Sequence, residues 1–195
     1  MDADFSVELG REDPVLDFPW TDPNGRLVYF DLKRQPETLG RVKEATQFPE
    51  LAGFLRAVNS AMSAVESAKC DVWATEELSA EEAIFGGSHK FASYVDLVFS
   101  RADHRESFPF HERFAKRLVE LLRQTPETPS AAEVCVRRGY YAEKEETREG
   151  FYFTVYVNGY GDDEARARQN WEIGLKLVAH ATLQLSAVGA ETPAP

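Results

Sequence analysis

Residues 151–158 constrain the fold more than any other stretch of the chain. Phe151, Phe153, Val155 and Val157 alternate with Tyr152, Thr154 and Tyr156. A period of two puts the first set on one side of a β-strand and the second on the other. The chain must therefore build a sheet, and the elements around this strand say of which kind. Residues 133–142 read as a strand just before it, joined to it by the charged connection 143–150. Gly159-Tyr160-Gly161 breaks the pattern, and Asp162-Asp163-Glu164 puts carboxylates at the start of a helix. Trp171, Leu175, Val178, Thr182 and Leu185 mark that helix's apolar stripe.

The same order occurs upstream. Residues 70–75 read as a strand and residues 91–100 as its partner. Phe91, Val95, Leu97 and Phe99 share one face; Tyr94, Asp96 and Val98 share the other. Between them, Ser79-Ala80-Glu81-Glu82 has the form of a capping box, with Gly86 placed to end a short helix. Phe110, Phe114, Leu118, Leu121 and Leu122 then form a helical stripe. Near the N-terminus, Asp22-Pro23-Asn24-Gly25 is turn chemistry between 15–20 and 26–32, which predicts a hairpin whose Pro-bearing first arm is an edge strand. Pro49 opens a helix carrying Leu51, Phe54, Leu55, Val58, Met62 and Val65.

The expected fold class is α+β: a mostly antiparallel sheet from successive hairpins, with about three helices on one face, in repeated strand-strand-helix units. Shifting the second unit onto the third matches Glu112 with Glu172 and Lys116 with Lys176. Residues 1–188 are expected to form a single domain, with 1–26 as an N-terminal arm and hairpin start and 189–195 as a frayed tail.

Composition narrows the function classes. The chain carries 33 acidic against 22 basic residues, a formal charge of -11, which argues against a nucleic-acid binder. Its 43% hydrophobic and 12% aromatic residues suffice for a real core. The acidic N-terminus does not read as a signal peptide, and no apolar run has the length of a membrane span. With only Cys70 and Cys135, a cytoplasmic protein with reduced thiols and no disulfide is the expectation. His89, His104, His111 and His180 show no metal-ligand spacing, and neither glycine pair forms a phosphate loop, so no metal or cofactor is expected.

The informative surface is the sheet face turned away from the helices. Alternation places Trp73, Tyr94, Asp96, Arg137, Tyr141, Tyr152 and Tyr156 there. Such aromatics with polar handles suit an interface or a ligand site. A carboxylate on a central strand, Asp96, would have a raised pKa unless paired with Arg137 or a neighbouring Tyr. The bland alternative is that the arm, through Phe18 and Trp20, simply covers this face. Three readings follow. The first is a non-catalytic binding domain that self-associates as a homodimer. The second is a small acid–base enzyme, a hydrolase or isomerase, acting on a small molecule in a pocket around Asp96 with His89 nearby. The third is an acidic, immunity-type inhibitor of a basic protein, with Glu143, Glu145, Glu146 and Glu149 as candidate contacts. The pattern favours binding over catalysis.

Overall fold

A computed structural model describes residues 1–143 and 146–189. The strands are β1 (Asp2–Glu8), β2 (Leu16–Phe18), β3 (Val65–Thr75), β4 (His89–Phe99), β5 (Ser130–Glu143) and β6 (Glu146–Gly161). The helices are α1 (Lys43–Gln47), α2 (Pro49–Val58), α3 (Ala102–Arg105), α4 (Phe108–Arg123) and α5 (Glu164–Gly189). The expected α+β class holds, with one sheet in the order β1-β5-β6-β4-β3.

The sheet is mixed rather than purely antiparallel. β3–β4, β4–β6 and β5–β6 pair antiparallel, as the two later hairpins require. The first unit is not a hairpin of sheet strands. β1 and β2 both run parallel to β5 along its outer edge, one after the other. The Asp22–Gly25 turn does form, with Gly25 at φ 67°, but only Thr21 and Val28 bridge across it. The first arm finds its partner on β5, more than a hundred residues away, and no local pattern announces such a partner.

Two boundaries also move. The stripe from Leu51 to Val65 ends as helix at Val58; Met62 is 76% exposed, and Val65 already starts β3. The 3.6-residue spacing ran by coincidence across a turn. Gly159-Tyr160-Gly161 does not break β6, which continues to Gly161. These glycines admit the backbone of α5: a Cβ on Gly159 would lie 2.1 Å from the Trp171 nitrogen.

The helices cover one face. Phe91, Val95, Leu97, Phe99, Val134, Val136, Phe153, Val155 and Val157 point into a single core with Leu51, Leu55, Leu118, Leu122, Trp171 and Leu175. Ser107 caps α4 by accepting from the Phe110 N–H, and Asp163 caps α5 by accepting from the Arg166 N–H at 2.7 Å. The Trp171 indole donates to Ser93 Oγ at 2.9 Å, so its buried N–H is satisfied. α5 lies between α2 and α4, which accounts for the burial of Ala181 outside the Trp171–Leu185 stripe, although Ile173 stays 37% exposed. The i,i+4 ion pairs Glu112–Lys116 and Glu172–Lys176 form on α4 and α5, in the second turn of one helix and the third turn of the other.

Candidate functional site: the open face of the sheet

The face opposite the helices divides into three zones. The end near the start of β6 is sealed. Leu16, Phe18, Val98, Tyr141 and Tyr152 form a second apolar cluster, with Trp20 and Tyr29 packed against it. The Trp20 indole donates to the Ala68 carbonyl at 2.6 Å, and the Arg105 guanidinium lies 5.3 Å over Phe18 while pairing with buried Glu66. Tyr141 donates to the Phe151 carbonyl. Tyr141 and Tyr152, each 2% exposed, are therefore core residues beneath the arm and not surface contacts. For this zone the covering arm is what the structure shows.

The opposite end is capped by the connection between β3 and β4. The expected capping box is present in both directions: Glu82 accepts from the Ser79 N–H at 2.8 Å, and Ser79 Oγ accepts from the Glu82 N–H at 3.3 Å. It closes the short 3-10 turn Glu82–Phe85 rather than an α-helix. Phe85 stacks on Tyr160 at 4.2 Å, and Glu82 binds both the Tyr160 hydroxyl and Lys90. Ile84 is 78% exposed and seals nothing.

Between these ends lies an uncovered strip, and strand register fixes what it displays. Asp71, Tyr94, Tyr156, Glu133 and Asp4 stand side by side across five strands. The next row toward the cap starts with Trp73, and the next toward the arm runs Lys69, Asp96, Thr154, Cys135 and Ser6. Trp73 is 38% exposed and leans on Tyr94, and Tyr94 leans on Tyr156. Asp71, Glu133 and Asp4 are exposed. The strip is thus a line of aromatic rings ending in carboxylates on both sides.

Beneath the rings runs a polar chain. Glu8 accepts from Arg137 at 2.7 Å; Arg137 donates to Thr154 Oγ1 at 2.8 Å; Thr154 donates to Asp96 at 2.7 Å. Arg137 also donates to the Tyr156 hydroxyl at 3.2 Å and sits 5.6 Å over its ring. Asp96 and Arg137 are joined through Thr154 and not by the direct ion pair that the sequence suggested. Burial pushes the Asp96 carboxyl up to about 6, and the Thr154 hydrogen bond with nearby Lys69 and Arg137 works against that rise. Burial and the Asp96 charge push the Tyr94 hydroxyl up to about 12.

Of the residues singled out from sequence, Trp73, Tyr94, Asp96, Arg137 and Tyr156 come together on the strip, while Tyr141 and Tyr152 do not. Glu133, Asp71 and Asp4 were missed, although the alternation Asp2-Ala3-Asp4-Phe5-Ser6-Val7-Glu8 is a strand signal in plain view. The acidic hairpin connection contributes little to this strip. Glu149 pairs with Arg138, and Glu145 lies outside the described residues. His89 lies at the capped end, with Nε2 3.4 Å from Glu76. Both cysteines are free, and burial pushes the Cys70 thiol up to about 12, far from a reactive thiolate. No group of three His, Cys, Asp or Glu side chains able to hold a metal occurs among the described residues, and no described helix is long and apolar enough to cross a membrane.

Fold and strip together define a class: an α+β domain with one sheet face given to its core and part of the other left as an aromatic, acid-flanked surface. Comparison with protein-family models, with curated proteins and with solved structures returns no match.

Proposed function

We infer that the protein is a non-catalytic interaction domain, and that the central strip binds a basic segment of a partner protein. The observation that carries this reading is the register row Asp71, Tyr94, Tyr156, Glu133 and Asp4. Carboxylates at both ends attract Lys and Arg, and the rings between them offer faces on which a guanidinium can stack. A second copy laid along the same row would set carboxylate against carboxylate, which counts against a homodimer through this face. The acid–base reading loses support for a different reason. The only hydrogen-bond partner of the Asp96 carboxylate among the described residues is the Thr154 hydroxyl, so no His or Tyr is placed to relay its proton.

The test titrates a short fluorescein-labelled arginine-rich peptide into the wild type and into Asp71→Lys and Glu133→Lys variants. Saturable binding is expected, weakened about tenfold by each reversal and weakened further by salt. Unchanged affinity in both variants overturns the reading. So does a wild-type dimer in sedimentation that Trp73→Lys converts to monomer, since the strip would then serve self-association.

A further inference from the structure

At the outer edge of β3, beside the arm end of the strip, a cavity of about 170 Å³ opens next to residues 67–70. The segment after the Asp22–Gly25 turn wraps round this edge and walls the cavity with Leu27, Val28 and Phe30; Trp20 and Leu55 close other sides. Leu27 is 59% exposed and Val28 39% exposed, unusual for large apolar side chains in this molecule.

The rim has a charge opposite to that of the protein. Arg26, Arg41, Lys43 and Lys69 line the cavity, and Glu44 is the sole carboxylate among its lining residues. None of these four cations makes an ion pair among the described residues. Elsewhere, buried or half-buried arginines are matched to acids, as in Arg105–Glu66, Arg137–Glu8 and Arg168–Glu50. Two of the four cations instead lie over rings of the cavity wall, Arg41 at 4.7 Å from the Phe30 centroid and Lys69 at 4.8 Å from Trp20. In a chain of formal charge -11, three cations without an ion pair among the described residues, Arg26, Arg41 and Lys43, join Lys69, whose charge also acts on Asp96, around one apolar hollow and form a local site for an anion with an apolar body.

We propose that this cavity binds a small amphiphilic carboxylate, with its ring or short alkyl chain against Leu27, Val28, Phe30 and Leu55 and its carboxylate among Arg26, Arg41, Lys43 and Lys69. The volume holds one aromatic ring or roughly six chain carbons, well below the size of a drug-like ligand. The carboxylate follows from the rim: charge-assisted hydrogen bonds from arginine and lysine are the strong ones, and they reward an ionised group. The cavity shares Lys69 with the row flanking the strip but none of Asp71, Tyr94, Tyr156, Glu133 and Asp4, so either reading can fail alone.

The experiment titrates 3-phenylpropanoate, 3-phenylpropanamide and acetate into ¹⁵N-labelled protein. The propanoate is expected to shift the amides of 26–32, 41–44 and 67–70 and the Trp20 indole, and to bind at least about tenfold more tightly than the amide or acetate. Arg41→Gln with Lys43→Gln should weaken it by at least about tenfold; both side chains are exposed, so the fold is expected to survive, with a thermal melt as the check. Equal binding of the amide shows that the cations are not used and overturns the proposal. Equal binding of acetate shows that the hollow is not used and does the same. Absence of shifts with propanoate overturns it as well, including the case in which only a peptide ending in a free phenylalanine carboxylate binds there.

Discussion

On β4, Asp96 and Leu97 are neighbours in sequence and lie on opposite faces of the sheet. Leu97 enters a core built by three long helices; Asp96 sits beneath a strip of rings that no described element covers. The helix face meets its polar groups sparingly. His111 on α4 is fully buried among Phe99, Phe151 and Phe153; its Nδ1 bonds the Ser107 carbonyl, and its Nε2 makes no hydrogen bond within normal distance among the described residues. The open face instead ties its buried charges into a chain across four strands, from Glu8 through Arg137 and Thr154 to Asp96. One face spends its side chains on burial and the other keeps rings and carboxylates turned outward. That division is the physical basis for reading the strip as a surface meant for a partner.

The sharpest way to break this comparison is to truncate one ring on each face. Trp171→Ala should cost about 3–5 kcal/mol in urea unfolding, since a fully buried indole leaves a cavity and an unpartnered Ser93. Trp73→Ala should cost under about 1 kcal/mol, as expected for a surface position. Similar losses would show that the strip is ordinary core.

The pH dependence of stability separates the faces next, with opposite signs. Burial holds the His111 ring down near 4, against 6.5 for the free side chain. An unfolded chain takes up that proton first, so the stability His111 contributes is intact above 6.5 and falls as pH drops toward 4, by up to about 3 kcal/mol. Asp96 is raised from 3.8 to about 6. There the folded chain holds the proton longer, so stability falls as pH rises from about 3.8 to 6, again by up to about 3 kcal/mol. The two contributions oppose each other across the same window. Asp96→Asn should therefore gain stability over wild type at pH 7.5 and show little difference near pH 4. His111→Phe should lose the acid-side decline. Urea midpoints at the two pH values check both, and equal shifts at both pH values in either variant would contradict the assignment.

A smaller effect tests the boundary between the sealed zone and the strip. Phe18→Ala removes a ring that packs on Tyr29 and Tyr141 and should cost about 3 kcal/mol, the low end for a buried phenylalanine. Tyr152 should then become accessible to iodination while Tyr160, buried at the capped end, stays protected. Loss of stability without new reactivity at Tyr152 would mean that the arm does not form the seal.

Much of this architecture was legible in local patterns, and the failures share a cause. Period-two alternation placed Phe153, Tyr94 and Arg137 on their correct faces, because side-chain direction along a strand is a local property. Capping chemistry placed Ser79, Glu82 and Asp163 for the same reason. Pairing is not local. Nothing between residues 1 and 20 states that β1 and β2 lie against β5, so the sequence suggests three hairpins and leaves open whether Tyr152 is an interface residue or lies under the arm. The carboxylates of the strip escaped notice because Asp4, Glu133 and Asp71 lie on three strands and fall into one row only through register.

Three indole N–H signals offer the most direct test, because each reports one region: Trp171 the core, Trp20 the arm and the cavity, Trp73 the strip. Titrating the arginine-rich peptide into ¹⁵N-labelled protein should move the Trp73 signal, together with the amides of Asp71, Tyr94 and Glu133. The Trp20 and Trp171 signals should stay in place. A Trp73 signal that stays fixed at saturating peptide, with or without movement of Trp20, would contradict the assignment of the strip as the binding surface.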